Sequence, residues 1–169
     1  MARRNPGAER GAALVEMALV LPVLLVVLTG IIDFGLVLSD QISLRQGVRE
    51  GARQAVVADF GSACSASGAD AASRKLICLT EDRTDVDDVS VRIQLDPSNA
   101  TNPSVGQGVI VCAAAPMQSI SGLWSVALDD RYLTSETQMR VEVAADASGA
   151  ELTTYGDADP TGEGWAWCG

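Results

Sequence analysis

Residues 10–32 read RGAALVEMALVLPVLLVVLTGII, and this stretch decides the fold. Between Ala12 and Ile32 the only charged residue is Glu16. A helix rises about 1.5 Å per residue, so a run of this length crosses a hydrocarbon core of roughly 30 Å. The basic residues before it are Arg3, Arg4 and Arg10, and the next charges after it are Asp33 and Asp40. This asymmetry predicts a cytoplasmic N-terminus and a C-terminal part on the outer side of a membrane.

A cleavable secretory signal also has a basic start and an apolar core, but that core is usually 7 to 15 residues long. Here the run is longer and continues into a second helical pattern over residues 34–57. The sequence therefore predicts a leader at 1–11, a transmembrane segment at 12–33, an amphipathic continuation at 34–58 and an extracytoplasmic domain at 59–169. No stable structure is expected in residues 1–10, where Pro6 and Gly7 break local order.

The second half of the helix has apolar residues mainly at steps of three and four, which predicts one buried face. They are Phe34, Leu38, Ile42, Val48, Ala52 and Ala55. Gly47, Gly51 and Ala55 repeat at four and share a face that permits a close backbone approach. The chain's own sheet is the preferred neighbour of that face, and a partner helix is the alternative. The helix is expected to end near residues 59–61.

The remaining pattern predicts an α+β domain in which about three antiparallel strands pack on the long N-terminal helix. Alternation indicates strands at 89–95, 109–113 and 139–143. Short helices are expected at 69–79, capped by Ser67, and at 119–128.

The composition argues against an enzyme. The formal net charge is −10 and the chain has no histidine, so the commonest general base and metal ligand is missing. An acidic exterior disfavours nucleic acid and anionic lipid as partners. No catalytic residue, metal site or cofactor is predicted. In residues 157–164, DADPTGEG, Asp157, Asp159 and Gly162 match the first, third and sixth positions of an EF-hand calcium loop. The match fails at Thr161 in the fifth position and at Cys168 in the twelfth, where a bidentate glutamate is needed, so calcium is a minor alternative.

Four cysteines fall on the predicted outer side, where an even number suggests disulfides. Three pairings are possible. We prefer Cys64 with Cys78 and Cys112 with Cys168; a metal site is disfavoured because no CxxC pair is present. Trp165 and Trp167 lie beside the last cysteine, and packing on the domain is preferred over an exposed contact patch.

The segments RGAALVEMALVLPVLL and DFGLVLSDQISLRQGVREGARQAVV, with VIVCAAAP and SETQMRVEV further on, resemble the TadE-like family of tight-adherence (Tad/Flp) pilus proteins. Gly11, Ala12 and a carboxylate at Glu16 also follow the type IV prepilin pattern. The resemblance implies cleavage between Gly11 and Ala12 by a prepilin peptidase. It also implies a role as a minor pilin or pseudopilin in assembly or adhesion, in the bacterial cytoplasmic membrane or an extracellular pilus.

The expected partners are pilin subunits and the Tad assembly machinery, in a hetero-oligomer or filament. Glu16 is predicted to pair with the freed amine of Ala12, in its own chain or a neighbour, although it could instead reach the cytoplasmic interface. Pro22 is either a tolerated membrane proline or a point where the helix bends during subunit packing. The competing function is an unprocessed single-pass membrane protein with a small extracytoplasmic binding domain.

Overall fold

The computed structural model describes residues 6–59, 64, 70–96, 102–143 and 152–169, with side chains from residue 11 onward. The described part has an α+β fold, as predicted. Its elements are α1 (Pro6–Val56), α2 (Ala71–Thr84), β1 (Ser90–Asp96), β2 (Gly108–Pro116), α3 (Ser125–Leu128), β3 (Tyr132–Arg140) and β4 (Tyr155–Gly156). The strands form one antiparallel sheet in the order β3-β2-β1-β4.

Helix α1 has 51 residues and is therefore about 75 Å long. It begins at Pro6, so the expectation of no structure in residues 1–10 is wrong for residues 6–10. Proline is favoured at the first helical position, because its φ is already helical and the N–H it lacks would have no partner there. The helix ends at Val56 rather than near residues 59–61.

The hydrophobic core lies between the second half of α1, helix α2 and one face of the sheet. Leu44, Val48, Ala52 and Ala55 form the buried stripe of α1, at steps of three and four residues. Leu38 and Ile42, expected on that stripe, are exposed. The sheet contributes Val91, Ile93, Leu95, Val109 and Val111.

Strand β2 is buried on both faces. Its second face, with Ile110, Cys112 and Ala114, is covered by the C-terminal tail through Trp165 and Cys168. This is why β2 reads as a continuous apolar run instead of an alternating one.

Three predictions for this domain need correction. The third strand is Tyr132–Arg140, not 139–143. Beyond it, the backbone N–H groups of Glu142 and Val143 donate to the carbonyl of Val56 at 2.9 and 3.0 Å, so this segment passes the end of α1. The helix expected at 119–128 is reduced to Ser125–Leu128, and strand β4 was not predicted.

Helix α2 spans Ala71–Thr84 rather than 69–79. Asp70 is its N-terminal boundary residue and makes no side-chain cap. Ser67, the predicted cap, lies outside the described residues.

Candidate membrane and assembly helix

The first half of α1 exposes apolar side chains on every side. From Leu14 to Leu28 the large hydrophobic residues are 41–72 % exposed. Among the described residues, one helix is long and apolar enough to cross a membrane, with a mean hydropathy of 2.6 in its most apolar window. An apolar surface of this size on a protein in water would be a site of association, so the helix is suited to lipid or to neighbouring helices.

The polar positions of this half are few. Glu16 is exposed and has no salt-bridge partner among the described residues. Ala12 lies one helical turn before it. Pro22 lies inside the helix, and because its nitrogen carries no hydrogen, the carbonyl of Ala18 lacks its usual helical donor.

The glycine face of α1 packs on α2. A Cβ atom at Gly47 would lie 3.1 Å from the carbonyl oxygen of Thr80, and one at Gly51 would overlap the Thr80 hydroxyl. Ala55 is 1 % exposed. Within the described residues, Gly47 and Gly51 therefore make their close approach to helix α2, rather than to the sheet that the spacing favoured.

The C-terminal end of the apolar run is covered by residues 117–128, here called the Trp124 loop. The carboxylate of Asp33 is 1 % exposed and accepts hydrogen bonds from the Ser119 and Ser121 hydroxyls, both at 2.6 Å. It also accepts the Ser121 backbone N–H at 3.2 Å. The indole of Trp124 lies against Gly30 and makes an edge contact with Phe34 at 5.7 Å between centroids.

This docking was not predicted from the sequence, because it depends on pairs of residues about ninety positions apart. The available signals were the run MQSISGLWSVAL, which has no charge, and the carboxylate of Asp33 at the end of the apolar segment.

A family model described as TadE-like protein matches residues 11–53. This range contains the exposed apolar part of α1, Asp33, and Gly47 and Gly51 of the glycine face. Over these residues the chain is similar to the TadE-like family. No curated protein and no solved structure matches it.

The TadE-like match supports an association of this chain with the Tad pilus. Together with the long apolar helix, it supports a location at a membrane. The match ends at residue 53, so the sheet and its disulfides lie outside it.

Two disulfides join parts of the TadE-like chain outside the match. Cys64 pairs with Cys78, and Cys112 pairs with Cys168, which is the pairing preferred from the sequence. The first ties the segment after α1 to α2. The second is buried and holds the tail on β2, where Trp165 is 4 % exposed and packs on Trp167 at 5.2 Å.

The segment resembling a calcium loop is closed by its own hydrogen bonds. The Asp159 carboxylate accepts three hydrogen bonds. The donors are the backbone N–H of Thr161 at 2.9 Å, the Thr161 hydroxyl at 2.8 Å and the backbone N–H of Trp165 at 3.1 Å. Burial acts to raise the pKa of Asp159, but these hydrogen bonds together lower it below its usual value. Within the described ranges, no group of three or more acidic or cysteine side chains is arranged to hold a metal ion.

A carboxyl pair links α2 to the end of β4. Asp157 accepts the backbone N–H of Val91 at 2.9 Å and lies beside Glu81. Burial, and then the charge and hydrogen bond of Asp157, raise the pKa of Glu81.

Proposed function

We propose that this chain is a minor pilin or pseudopilin of a Tad-type pilus that acts in pilus assembly or adhesion. One observation carries the proposal: the family match falls on a helix whose apolar side chains between Leu14 and Leu28 are exposed, while its second half is part of the core. A helix of this kind is built for association in the membrane. Its partners would be pilin subunits and the Tad assembly machinery.

Processing by a prepilin peptidase between Gly11 and Ala12 is the first step of this function. Cleavage exposes the amine of Ala12 one turn before Glu16. A carboxylate in an apolar segment costs on the order of 2.5 to 3.5 kcal/mol near the bilayer centre, and less toward its edge. The new amine offsets this cost, either within the chain or between neighbouring subunits.

The proposed topology places the N-terminus in the cytoplasm and residues 59–169 outside. The arginines before the apolar run and the acidic residues after it support this orientation. Two disulfides among the described residues also fit an oxidising compartment. Pro22 is proposed as the position where the helix bends when subunits pack, since one hydrogen bond is already absent there.

Intact mass tests the processing step. The full chain is produced with and without a prepilin peptidase, and the expected result is loss of residues 1–11 only when the peptidase is present. Gly11→Phe should block the loss, whereas Gly35→Phe should not. The two glycines are matched, because both lie on α1 and a Cβ atom at either meets no atom within 4 Å.

The outcome also separates the two functions considered. A chain that keeps its leader beside an active peptidase, and is absent from purified pili by mass spectrometry, would be a single-pass membrane protein with a small binding domain. Processing together with recovery in pili supports the pilin.

A further inference from the structure

We propose that the Trp124 loop is a membrane-contacting element that enters the outer interface of the bilayer beside α1. This inference rests on the membrane insertion of α1 in the proposed function. The loop is residues 117–128, which include no charged side chain. Three of its apolar side chains face away from the protein: Ile120 is 74 % exposed, Leu123 60 % and Val126 97 %.

The Trp124 loop contacts helix α1 at two positions along the helix axis. Ser119 and Ser121 bind the carboxylate of Asp33, and Trp124 lies on Gly30. Gly30 is three residues, or about 4.5 Å, closer to the apolar run than Asp33. The chain from Ser121 to Trp124 therefore runs along the helix toward the proposed membrane, and the exposed Leu123 and Val126 are close to Trp124 in sequence.

The expected bilayer thickness places these contacts at the interface. A hydrocarbon core of about 30 Å takes roughly 20 helical residues, so a span that starts at Ala12 ends near Ile31. The loop is attached at that level. On the helix itself Ile31, Ile32 and Phe34 remain 65, 58 and 45 % exposed, so the apolar surface of the span continues onto the loop.

The chemistry of the loop favours lipid as its occupant. It presents aliphatic side chains beside a tryptophan, the residue enriched at membrane interfaces. It offers no charge for pairing with a protein partner or with anionic headgroups. Its serines satisfy the Asp33 carboxylate, which would otherwise be an unpaired charge at the edge of the hydrocarbon.

Photo-crosslinking of the full chain tests the inference. A benzophenone amino acid replaces Val126 in one variant, Val105 in a second and Leu25 in a third, and each is reconstituted in phosphatidylcholine vesicles with or without phosphatidylglycerol. Val105 is a matched control, since it is also an exposed valine (66 %). Its neighbour Gly106 bonds to Val141, close to the Val56 end of α1, about 39 Å along the helix axis from Gly30. Leu25 reports insertion of the span.

Intact mass after irradiation identifies the adducts. Lipid adducts are expected at positions 25 and 126 but not at position 105. Their yield should not depend on phosphatidylglycerol. Adducts at 25 but not at 126 would overturn the inference and leave the span intact. Chain dimers from 126 in place of lipid adducts would make the loop a protein interface. Absence of lipid adducts at position 25 would contradict both the membrane insertion of α1 and the contact of the loop with lipid.

Discussion

Thr80 of α2 lies directly over Gly51 of α1. A Cβ atom at position 51 would lie 3.3 Å from the Thr80 Cβ and would overlap its hydroxyl, which is held by a 2.7 Å hydrogen bond to the Leu76 carbonyl. The backbone of α1 at Gly51 therefore lies against the side chain of Thr80 in α2.

This contact predicts that Gly51→Ala destabilises the domain, although alanine favours a helix by about 1 kcal/mol. Overpacking costs typically about 1–3 kcal/mol, so a net loss is expected in thermal unfolding of the detergent-solubilised chain, followed by circular dichroism. Gly35→Ala is the control and should not destabilise, because that position is open. Adding Thr80→Ala to Gly51→Ala should recover part of the loss; two purely additive effects would contradict the direct contact.

The two disulfides should differ in both stability and accessibility. Their sequence separations are 14 and 56 residues, which correspond to roughly 3 and 4 kcal/mol in the chain-entropy description. Replacing Cys112 and Cys168 together should therefore lower the unfolding temperature more than replacing Cys64 and Cys78.

Graded reduction provides a second measurement on the same pairs. Cys112 and Cys168 are buried, whereas Cys64 and Cys78 are half-buried. Low concentrations of reductant should open Cys64–Cys78 first, as detected by alkylation and mass spectrometry. Simultaneous opening would mean that the tail is less protected than its burial implies.

The Glu81–Asp157 pair predicts a pH-dependent stability. Because the pKa of Glu81 is raised in the folded state, its contribution is fully present below its ordinary value of 4.5 and is lost as pH rises through the folded-state pKa. Glu81→Gln keeps a donor toward Asp157 without the second charge. It should match the parent near pH 4 and be more stable near pH 7.

Asp82→Asn is the matched control for that pair, since it removes the same charge from an exposed neighbouring position. It should not reproduce the gain in stability that Glu81→Gln shows near pH 7. Parallel curves for the parent and Glu81→Gln would show that Asp157 does not act on Glu81.

Replacement of Glu16 addresses assembly. If Glu16 pairs with the Ala12 amine, Glu16→Leu should insert and be cleaved yet fail to co-purify with pilin subunits or support piliation. Glu16→Gln should be intermediate, because it keeps a hydrogen bond without the charge. Thr29→Val removes a polar group elsewhere in the same run, where Thr29 only bonds the Val26 carbonyl, and should assemble. Normal piliation by the leucine variant would make Glu16 an interfacial residue.

Sequence patterns were sufficient where burial is periodic. Helix α1 could be predicted from the length and hydropathy of its apolar run. Strand β1 could be predicted from strict alternation, with Val91, Ile93 and Leu95 buried. Strand β3 has no such signal, because its outward-facing side chains are polar and part of the strand is open to solvent. The apolar alternation at 139–143 was more prominent, so the strand was predicted there instead.

Contacts between distant segments could not be obtained from periodicity. The spacing of Gly47 and Gly51 indicates a close approach but does not say to what, since α2 and a sheet both accept a small-residue face. The docking of Ser119 and Trp124 on α1 has no periodic signature, and a helix was predicted there instead. The roles of Gly11, Ala12, Glu16 and Pro22 remain predictions, because they concern cleavage and subunits other than this one.

The exposed apolar segment and one side of the hydrophobic core belong to the same helix. Helix α1 continues to Val56, and its residues Leu44 and Val48 belong to the buried cluster. The helix is therefore continuous from Pro22 to the domain. A rotation of the segment between Pro22 and Leu44 about the helix axis turns the sheet by the same angle. If neighbouring subunits fix the orientation of that segment, as the proposed function requires, they also fix the orientation of the strands.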